Sequence, residues 1–162
     1  MPTFQQVTLA YADPAFTRLG ELLELVQRTF AYMDGVIDPP SSMHQLTIDS
    51  LRVNARRDWH RRNVGETVLI GCAFLAERQD HLYLNKFAVA PGHQGCGVGR
   101  VLMARAEEIA REAGKPVIEL QTRIELTQNH TAFARFGFEE VVRTAHPGYE
   151  RPTTIVMRKA LD

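Results

Sequence analysis

The stretch that decides the fold of this sequence is Val89-Ala-Pro-Gly-His-Gln-Gly-Cys-Gly-Val-Gly-Arg100. An apolar run typical of a strand precedes it, and apolar residues at helical spacing follow it. Gly95, Gly97 and Gly99 alternate with other residues between the two, and glycine leaves the backbone open to close approach by a ligand. Since the first turn of a helix has free N–H groups and a positive dipole end, the stretch predicts an anion site, best suited to phosphate.

The spacing of these glycines excludes the two commonest nucleotide-binding turns. A P-loop needs a lysine and a serine or threonine after its last glycine, whereas Arg100 and Val101 follow here. A dinucleotide-binding turn needs Gly-x-Gly-x-x-Gly, and the three alternating glycines do not match it. On spacing alone, a tight turn with no ligand remains an alternative, as does the phosphate of another nucleotide.

The composition is that of a soluble globular protein. The 162 residues suit one domain, and 44% of them are apolar and 23% charged. Lysine plus arginine equals aspartate plus glutamate at 19 each, which gives no support for binding to nucleic acid or to an anionic membrane surface. A local run of basic residues is interpreted as a solvated helix face and turn; its members are Arg52, Arg56, Arg57, Arg61 and Arg62.

Cysteine and histidine usage is typical of an intracellular protein with no metal centre. Cys72 and Cys96 are interpreted as free thiols, and neither they nor the six histidines have the spacing of metal ligands. Residues 1–14 lack the basic and apolar regions of a signal peptide, and no apolar stretch reaches membrane-spanning length. We therefore expect a cytoplasmic protein that binds no metal.

The hydrophobic pattern predicts the order β-α-α-β-β-β-α-β-α-β-β. The predicted strands cover residues 3–11, 59–63, 67–77, 81–89, 116–122, 138–143 and 153–159, and the predicted helices cover residues 13–32, 47–57, 97–113 and 129–136. A strand, a helix and a strand in the middle imply one parallel crossover, whereas the short links on either side imply antiparallel pairs. The fold class is therefore α/β (α+β), a single domain over residues 1–162 with a mixed, mostly antiparallel central sheet flanked by helices.

The segment from Phe87 to Arg100 resembles the acetyl-CoA-binding motif of the GNAT superfamily of N-acetyltransferases. That motif is a strand ending in Val-x-Pro, then Gln/Arg-x-x-Gly-x-Gly/Ala, then a helix, and the matching positions are Val89, Pro91, Gln94, Gly97 and Gly99. The order of predicted elements is also similar to that fold. The stretch 129–138, which ends in Gly-Phe, looks like the second conserved block of the family.

The resemblance implies a set of contacts to acetyl-CoA as the acyl donor. The amides that follow the strand at 81–89 would cradle the pyrophosphate, and the bulged end of that strand would pair with the pantetheine arm. The strand at 116–122 would splay away to admit this arm. The implied coenzyme-binding residues are Phe87, Ala88, Val89, Gln94, Gly95, Cys96, Gly97, Val98, Gly99, Arg100, Asn129 and Phe133.

One residue departs from the family pattern. In many members a tyrosine four residues before the Gly-Phe pair is proposed to protonate the departing thiolate, and Phe133 occupies that place here. A phenyl ring has no proton to give, so the role is vacant at this position. Tyr83, Tyr149 or a water molecule are the alternatives for it.

The chemistry implied by the resemblance is direct transfer in a ternary complex. A neutral amine attacks the thioester carbonyl, and backbone N–H groups near Val89 stabilise the oxyanion. Glu119, on the strand predicted at residues 116–122, is one candidate base for the ammonium proton. Asp34 and Asp38, in the loop between the first two helices, are the others.

The acceptor site is expected at the loop of residues 32–41, because the corresponding region walls the acceptor pocket in the family. Tyr32, Met33 and Asp34 would line it, and the acceptor would be a primary amine of a small molecule or peptide. The loop at residues 146–152 serves either this pocket or a homodimer contact. Because Phe133 leaves the proton donor unassigned, a non-catalytic acyl-CoA-binding or sensing module is the alternative function.

Overall fold

The described part of the chain contains four helices and five strands. It covers residues 17–54 and 69–162 of a computed structural model. The helices are α1 (Leu19–Phe30), α2 (Ile48–Asn54), α3 (Val98–Glu112) and α4 (Thr127–Arg135), with short 3-10 turns at Ala31–Met33 and Ser42–Gln45. The strands are β1 (Gly71–Glu77), β2 (Leu82–Val89), β3 (Val117–Arg123), β4 (Glu139–Thr144) and β5 (Thr154–Ala160). The strands predicted at residues 3–11 and 59–63, and the arginines at 56, 57, 61 and 62, lie outside the described residues.

The five strands form one sheet in the order β1-β2-β3-β5-β4. Every neighbouring pair is antiparallel except β2 and β3, which are parallel. Parallel strands need a crossover connection, and α3 lies in the chain between these two. The mixed, mostly antiparallel sheet predicted from the sequence is confirmed.

Two element boundaries differ from their predictions by four residues or more. Helix α1 was expected from residue 13, but Thr17 and Arg18 are not helical and the helix begins at Leu19. The strand expected from residue 67 begins at Gly71, because that residue pairs with Val89, the last residue of β2. An apolar run in the sequence shows which residues suit a strand, whereas the length of the partner strand decides where pairing begins.

Helices cover both faces of the sheet, and one buried apolar cluster lies on each face. On one face α3 packs against the strands; the buried residues are Leu82, Leu84, Met103, Ala106, Ile109, Ala110, Ile118, Leu120, Phe138, Ile155 and Met157. On the other face α1 and α2 pack against β1 and the end of β2; these buried residues are Leu19, Leu22, Leu25, Val26, Met43, Leu51, Cys72, Ala88 and Ala90. Within the described ranges, no helix is long and apolar enough to cross a membrane.

Strand β2 bulges where the resemblance placed a bulge. Its register against β1 runs from Phe74↔Asn85 to Cys72↔Ala88, so β2 has one residue more than β1 in this interval. Lys86 lies in the bulge with a φ of 48°, a left-handed conformation that residues other than glycine rarely adopt.

The bulge exchanges the faces to which the side chains of β2 point. Leu82 and Leu84, which precede it, belong to the cluster under α3. After the bulge Phe87 packs against that cluster, while Ala88 belongs to the cluster under α1. One extra residue reverses the alternation of a strand, and here it turns the aromatic ring of Phe87 toward α3.

Strands β2 and β3 separate after a short paired stretch. Their register extends only from Leu82↔Ile118 to Leu84↔Leu120, although β2 continues to Val89 and β3 to Arg123. The expected splay between these strands is therefore present, and it opens toward their carboxyl ends.

The close packing of β1 on α3 predicts opposite effects for two glycine-to-alanine changes. A Cβ at Gly71 would lie 3.0 Å from the Ala88 carbonyl oxygen and from Val98 Cγ1, so Gly71→Ala should lower the free energy of unfolding by about 1–3 kcal/mol. Gly20 lies in α1 with nothing within 4 Å of such a Cβ, so Gly20→Ala should raise it by up to about 1 kcal/mol. Urea denaturation of both variants measures the difference, and equal effects would contradict the packing described for Gly71.

Candidate active site

The turn between β2 and α3 depends on glycine at two positions. Gly95 has a φ of 78° and Gly97 a φ of 85°, and the backbone of a residue that carries a Cβ is strained at these values. Gly97 is the N-cap of α3, and its carbonyl oxygen accepts the bond from the Val101 amide at 3.1 Å. The left-handed N-cap turns the chain sharply from the end of the strand into the axis of the helix.

A continuous run of backbone amides in this turn is available to a ligand. Among the described residues, none of the N–H groups from Gln94 to Arg100 donates to a backbone acceptor, and Val101 is the first amide of α3 that does. These donors lie at the positive end of the α3 dipole, where an anion is stabilised. The structure thus contains the glycine turn and the helix start from which an anion site was predicted.

The side chain of Gln94 holds the turn against the end of β2. Its Nε2 atom donates to the Val89 carbonyl oxygen at 3.2 Å. A second bond, from the His93 amide to the Ala90 carbonyl oxygen at 3.0 Å, closes the preceding residues into a turn. Gln94 therefore has a structural role through its side chain, while its backbone N–H belongs to the unengaged run.

The backbone of Val89 faces the gap between β2 and β3. The Ala90 amide donates to Ile70 on the β1 side at 2.8 Å, and hydrogen-bonded and non-hydrogen-bonded pairs alternate along an antiparallel ladder. Val89, paired with Gly71, is therefore a non-hydrogen-bonded residue whose N–H and C=O point away from β1. Its carbonyl oxygen is engaged by Gln94, which leaves its N–H as the group directed into the splay.

Phenylalanine rings line the α3 side of the splay. The Phe87 ring lies 6.0 Å from that of Phe133 and 6.1 Å from that of Phe136, and Phe133 in turn lies 6.0 Å from Phe138, all in edge-to-face geometry. A Cβ at Gly99 would be 3.6 Å from the Phe87 ring, so α3 begins directly against this cluster. Phe133 thus forms part of the apolar wall of the splay, together with Phe87 and Phe138.

Two of the predicted catalytic residues lie together at the paired end of β2 and β3. Tyr83 is opposite Glu119, six residues before Val89 and therefore roughly 20 Å along the strand from it. Glu119 accepts a bond from Arg158 Nε at 2.7 Å, and His81 Nε2 lies 3.7 Å from its other oxygen. Burial, and then the Glu119 charge, raises the pKa of the Tyr83 hydroxyl. The structure brings these two residues together but not to the glycine turn.

The predicted acceptor loop reaches the first turn of α4. Asn129 Nδ2 donates to the Tyr32 hydroxyl oxygen at 3.2 Å, so a residue expected at the coenzyme and one expected at the acceptor are in contact. Asp34 Oδ1 lies 2.6 Å from His44 Nε2, and Met33 is half-buried between its two neighbours. Tyr32 and Asp34 are exposed.

The loop at residues 146–152 packs against the acceptor loop of the same chain. The Tyr149 hydroxyl donates to Asp38 Oδ1 at 2.7 Å, a bond that raises the pKa of Tyr149. Arg151 Nη2 donates to the Asp38 backbone oxygen at 3.2 Å and lies 3.3 Å from its Oδ2 atom. The sequence left two roles open for this loop, at the acceptor pocket or in a homodimer contact. The structure shows the loop in contact with the predicted acceptor loop of the same chain.

Two residues at this junction were not singled out from the sequence. Arg123, the last residue of β3, donates to the Pro40 carbonyl oxygen at 3.3 Å, and Glu125 Oε1 lies 3.5 Å from Arg151 Nη1. Burial lowers the pKa of Arg123. Their only sequence signal is charge directly after an apolar strand, which is common in surface turns; proximity to the loops became visible only in the fold.

The comparisons with known proteins agree with this geometry. Residues 19–138 match the model of the acetyltransferase (GNAT) family, which is most of the chain. The protein is a member of the GNAT acetyltransferase family. The fold and the enzyme class expected from the resemblance are both confirmed.

Three similar proteins illustrate the relationship. The chain is 30% identical over 152 residues to aminoglycoside N(6')-acetyltransferase type 1 of Stenotrophomonas maltophilia, covering 90% of this chain and 91% of that one. It is 43% identical over 58 residues to streptothricin acetyltransferase of Streptomyces lavendulae, covering 35% of this chain and 30% of that one. The PaiA N-acetyltransferase of Thermoplasma acidophilum, solved with coenzyme A, superposes with a TM-score of 0.76 at 15% identity, covering 96% and 98% of the two chains; this match shows the common fold.

The two cysteines of this GNAT acetyltransferase should differ in reactivity. Cys96 is exposed in the glycine turn, whereas Cys72 is buried and its burial raises its pKa to about 12. Because the thiolate is the reactive form, a colorimetric disulfide reagent at about pH 8 should modify Cys96 in the native protein and Cys72 only after denaturation. The Cys96→Ser variant is the control, and a fast-reacting thiol in that variant would contradict the burial of Cys72.

Proposed function

We propose that this acetyltransferase moves an acetyl group from acetyl-CoA to a primary amine of a small molecule, directly, in a ternary complex. The observation that carries the donor is the run of unengaged amides from Gln94 to Arg100 at the start of α3. A pyrophosphate needs several converging donors and a positive dipole end, and this turn supplies both. Arg100, exposed in the first helical turn, adds a positive charge.

The gap between β2 and β3 suits the arm that joins the pyrophosphate to the reacting thioester. Pairing stops at Leu84↔Leu120, and beyond it the Val89 N–H points into the gap. An extended arm can add to an unpaired strand through such groups. The same N–H is our candidate donor to the oxyanion that forms when the amine attacks the thioester carbonyl.

The acceptor side carries carboxylates that suit a cationic amine. Asp34 is exposed on the loop next to Tyr32, and Asp38 is held by Tyr149 and Arg151 on the same loop. The two relatives from curated proteins are named for small-molecule acceptors, an aminoglycoside and streptothricin. We therefore place a small amine-bearing molecule of this kind ahead of a peptide as the acceptor. Asp34 remains our candidate for the base, whereas Glu119, at the paired end of β2 and β3 and bonded to Arg158, lies too far from the Val89 N–H to act on the same amine.

The binding of acetyl-CoA is tested by thermal unfolding with two matched variants. At about 100 times its dissociation constant, acetyl-CoA should raise the Tm by about 5–10 °C. Gly97 and Gly114 have positive φ values of 85° and 69° at opposite ends of α3, and a Cβ at either would meet nothing within 4 Å. Gly97→Ala and Gly114→Ala should therefore destabilise the protein similarly, by about 1–2 kcal/mol, while only Gly97→Ala weakens the shift by acetyl-CoA. No shift in the unaltered protein would contradict the proposed donor site.

The transfer itself is tested by thiol release over a panel of amines. We expect release that depends on an aminoglycoside or streptothricin-type amine and is weaker with amino acids and peptides. The alternative, a non-catalytic acyl-CoA-binding module, is favoured by the absence of a hydroxyl at Phe133. Tight binding of acetyl-CoA with no release for any amine would support that alternative and contradict the enzymatic proposal.

A further inference from the structure

The hydrogen bond between Asn129 and Tyr32 joins elements from the two faces of the sheet. Tyr32 follows α1, which packs on the face of Ala88, while Asn129 belongs to α4, whose Phe133 packs on the other face. The start of α4 is fastened to the end of β3, because His130 Nε2 lies 2.8 Å from the Arg123 carbonyl oxygen. The bond therefore lies at the carboxyl end of β3, where β2 and β3 have parted.

Among residues 17–54 and 69–162, the direction of this bond leaves the Tyr32 proton without an acceptor. An amide nitrogen can only donate, so the Tyr32 hydroxyl oxygen is the acceptor and its own hydrogen remains available to a second partner. The side chain is 52% exposed, so a substrate can reach it.

The other two tyrosines in the described residues are differently engaged. The Tyr149 hydroxyl donates its proton to Asp38. Tyr83 lies in the paired part of β2 and β3, opposite Glu119. Among these three residues, Tyr32 alone combines a free hydroxyl hydrogen with a position at the open end of the splay.

The position of Tyr32 relative to α4 compensates for Phe133. Asn129 and Phe133 are four residues apart on α4 and so lie on one face, one turn from each other. Phe133 contacts Phe87 on the wall of the splay. The bond from Asn129 thus brings the Tyr32 hydroxyl, which comes from the opposite side of the sheet, to within one helical turn of Phe133, a ring that has no hydroxyl.

We propose that Tyr32 donates the proton to the departing coenzyme thiolate. This inference rests on the proposed acetyl transfer. The amine nitrogen forms its bond to the acetyl carbon, the carbon–sulfur bond breaks, and the sulfur takes that electron pair and the Tyr32 proton. The resulting phenolate, stabilised by the Asn129 N–H, is reprotonated by the proton that the acylated nitrogen loses through solvent, so Tyr32 ends the cycle unchanged.

The test is steady-state kinetics of Tyr32→Phe with acetyl-CoA and the best amine of the panel. We expect kcat to fall by about 10- to 100-fold, as for loss of a general acid, with both KM values within about threefold of those of the unaltered protein. Val141→Ala is the matched control, because Val141 on β4 is an equally exposed side chain, at 53%, outside the acceptor loop, and its kcat should stay within about twofold.

A second variant separates proton donation from support of the loop. Adding Phe133→Tyr to Tyr32→Phe returns a phenol one helical turn away, and it should recover at least about a fifth of the lost kcat. Coenzyme-induced thermal shifts check that each variant still binds acetyl-CoA.

Each outcome counts for or against Tyr32. A kcat within about twofold in Tyr32→Phe, a loss confined to the KM of the amine, or no recovery in the double variant overturns its role as the acid. If the unaltered protein transfers acetyl to no amine, the proposed function fails, and the role of Tyr32 fails with it. Transfer by the unaltered protein that is retained in Tyr32→Phe contradicts only the role of Tyr32.

Discussion

The separation of β2 from β3 is the constraint on which the rest of the site depends. Three residue pairs join the two strands, and beyond Leu84↔Leu120 their backbones face an open gap. The bulge at Lys86 acts on the same strand, since its extra residue turns Phe87 toward α3 and leaves the Val89 N–H directed into the gap. A left-handed lysine is costly in backbone energy, and the buried clusters on both faces of β2 hold it in place.

The glycine turn borders the open end of the gap on the β2 side, and the loops of residues 32–41 and 146–152 meet at the end of β3 on its other side. Gln94 fastens the turn to the carbonyl of Val89, so the free amides of α3 begin where the gap opens. The acceptor loop is fastened to the opposite border by Tyr149 and Arg151 through Asp38. These exposed polar contacts are individually weak.

The division of labour around α4 follows from its two packing surfaces. Phe133 and its aromatic neighbours form an apolar wall of the gap, and a hydroxyl buried in that wall would need a hydrogen-bond partner. One turn earlier, at the solvent-facing border, Asn129 holds the hydroxyl of Tyr32 with no such cost, because Tyr32 is half exposed. The polar function thus lies on the loop and the apolar function on the helix, although both border the same gap.

The amino-acid sequence by itself determined the glycine turn, the order of most elements and the mixed sheet. These follow from local chemistry: Gly95 and Gly97 permit positive φ, and apolar periodicity separates α3 from its flanking strands. The sequence did not predict the contacts between distant segments, because hydrogen bonds such as Asn129 to Tyr32 and Tyr149 to Asp38 join residues about a hundred positions apart. Neither Arg123 nor Glu125 differs locally from an ordinary charged turn residue. Only the tertiary structure decided that they meet the acceptor loop and that a tyrosine from one face of the sheet reaches a helix on the other, since such contacts depend on how the whole sheet is covered.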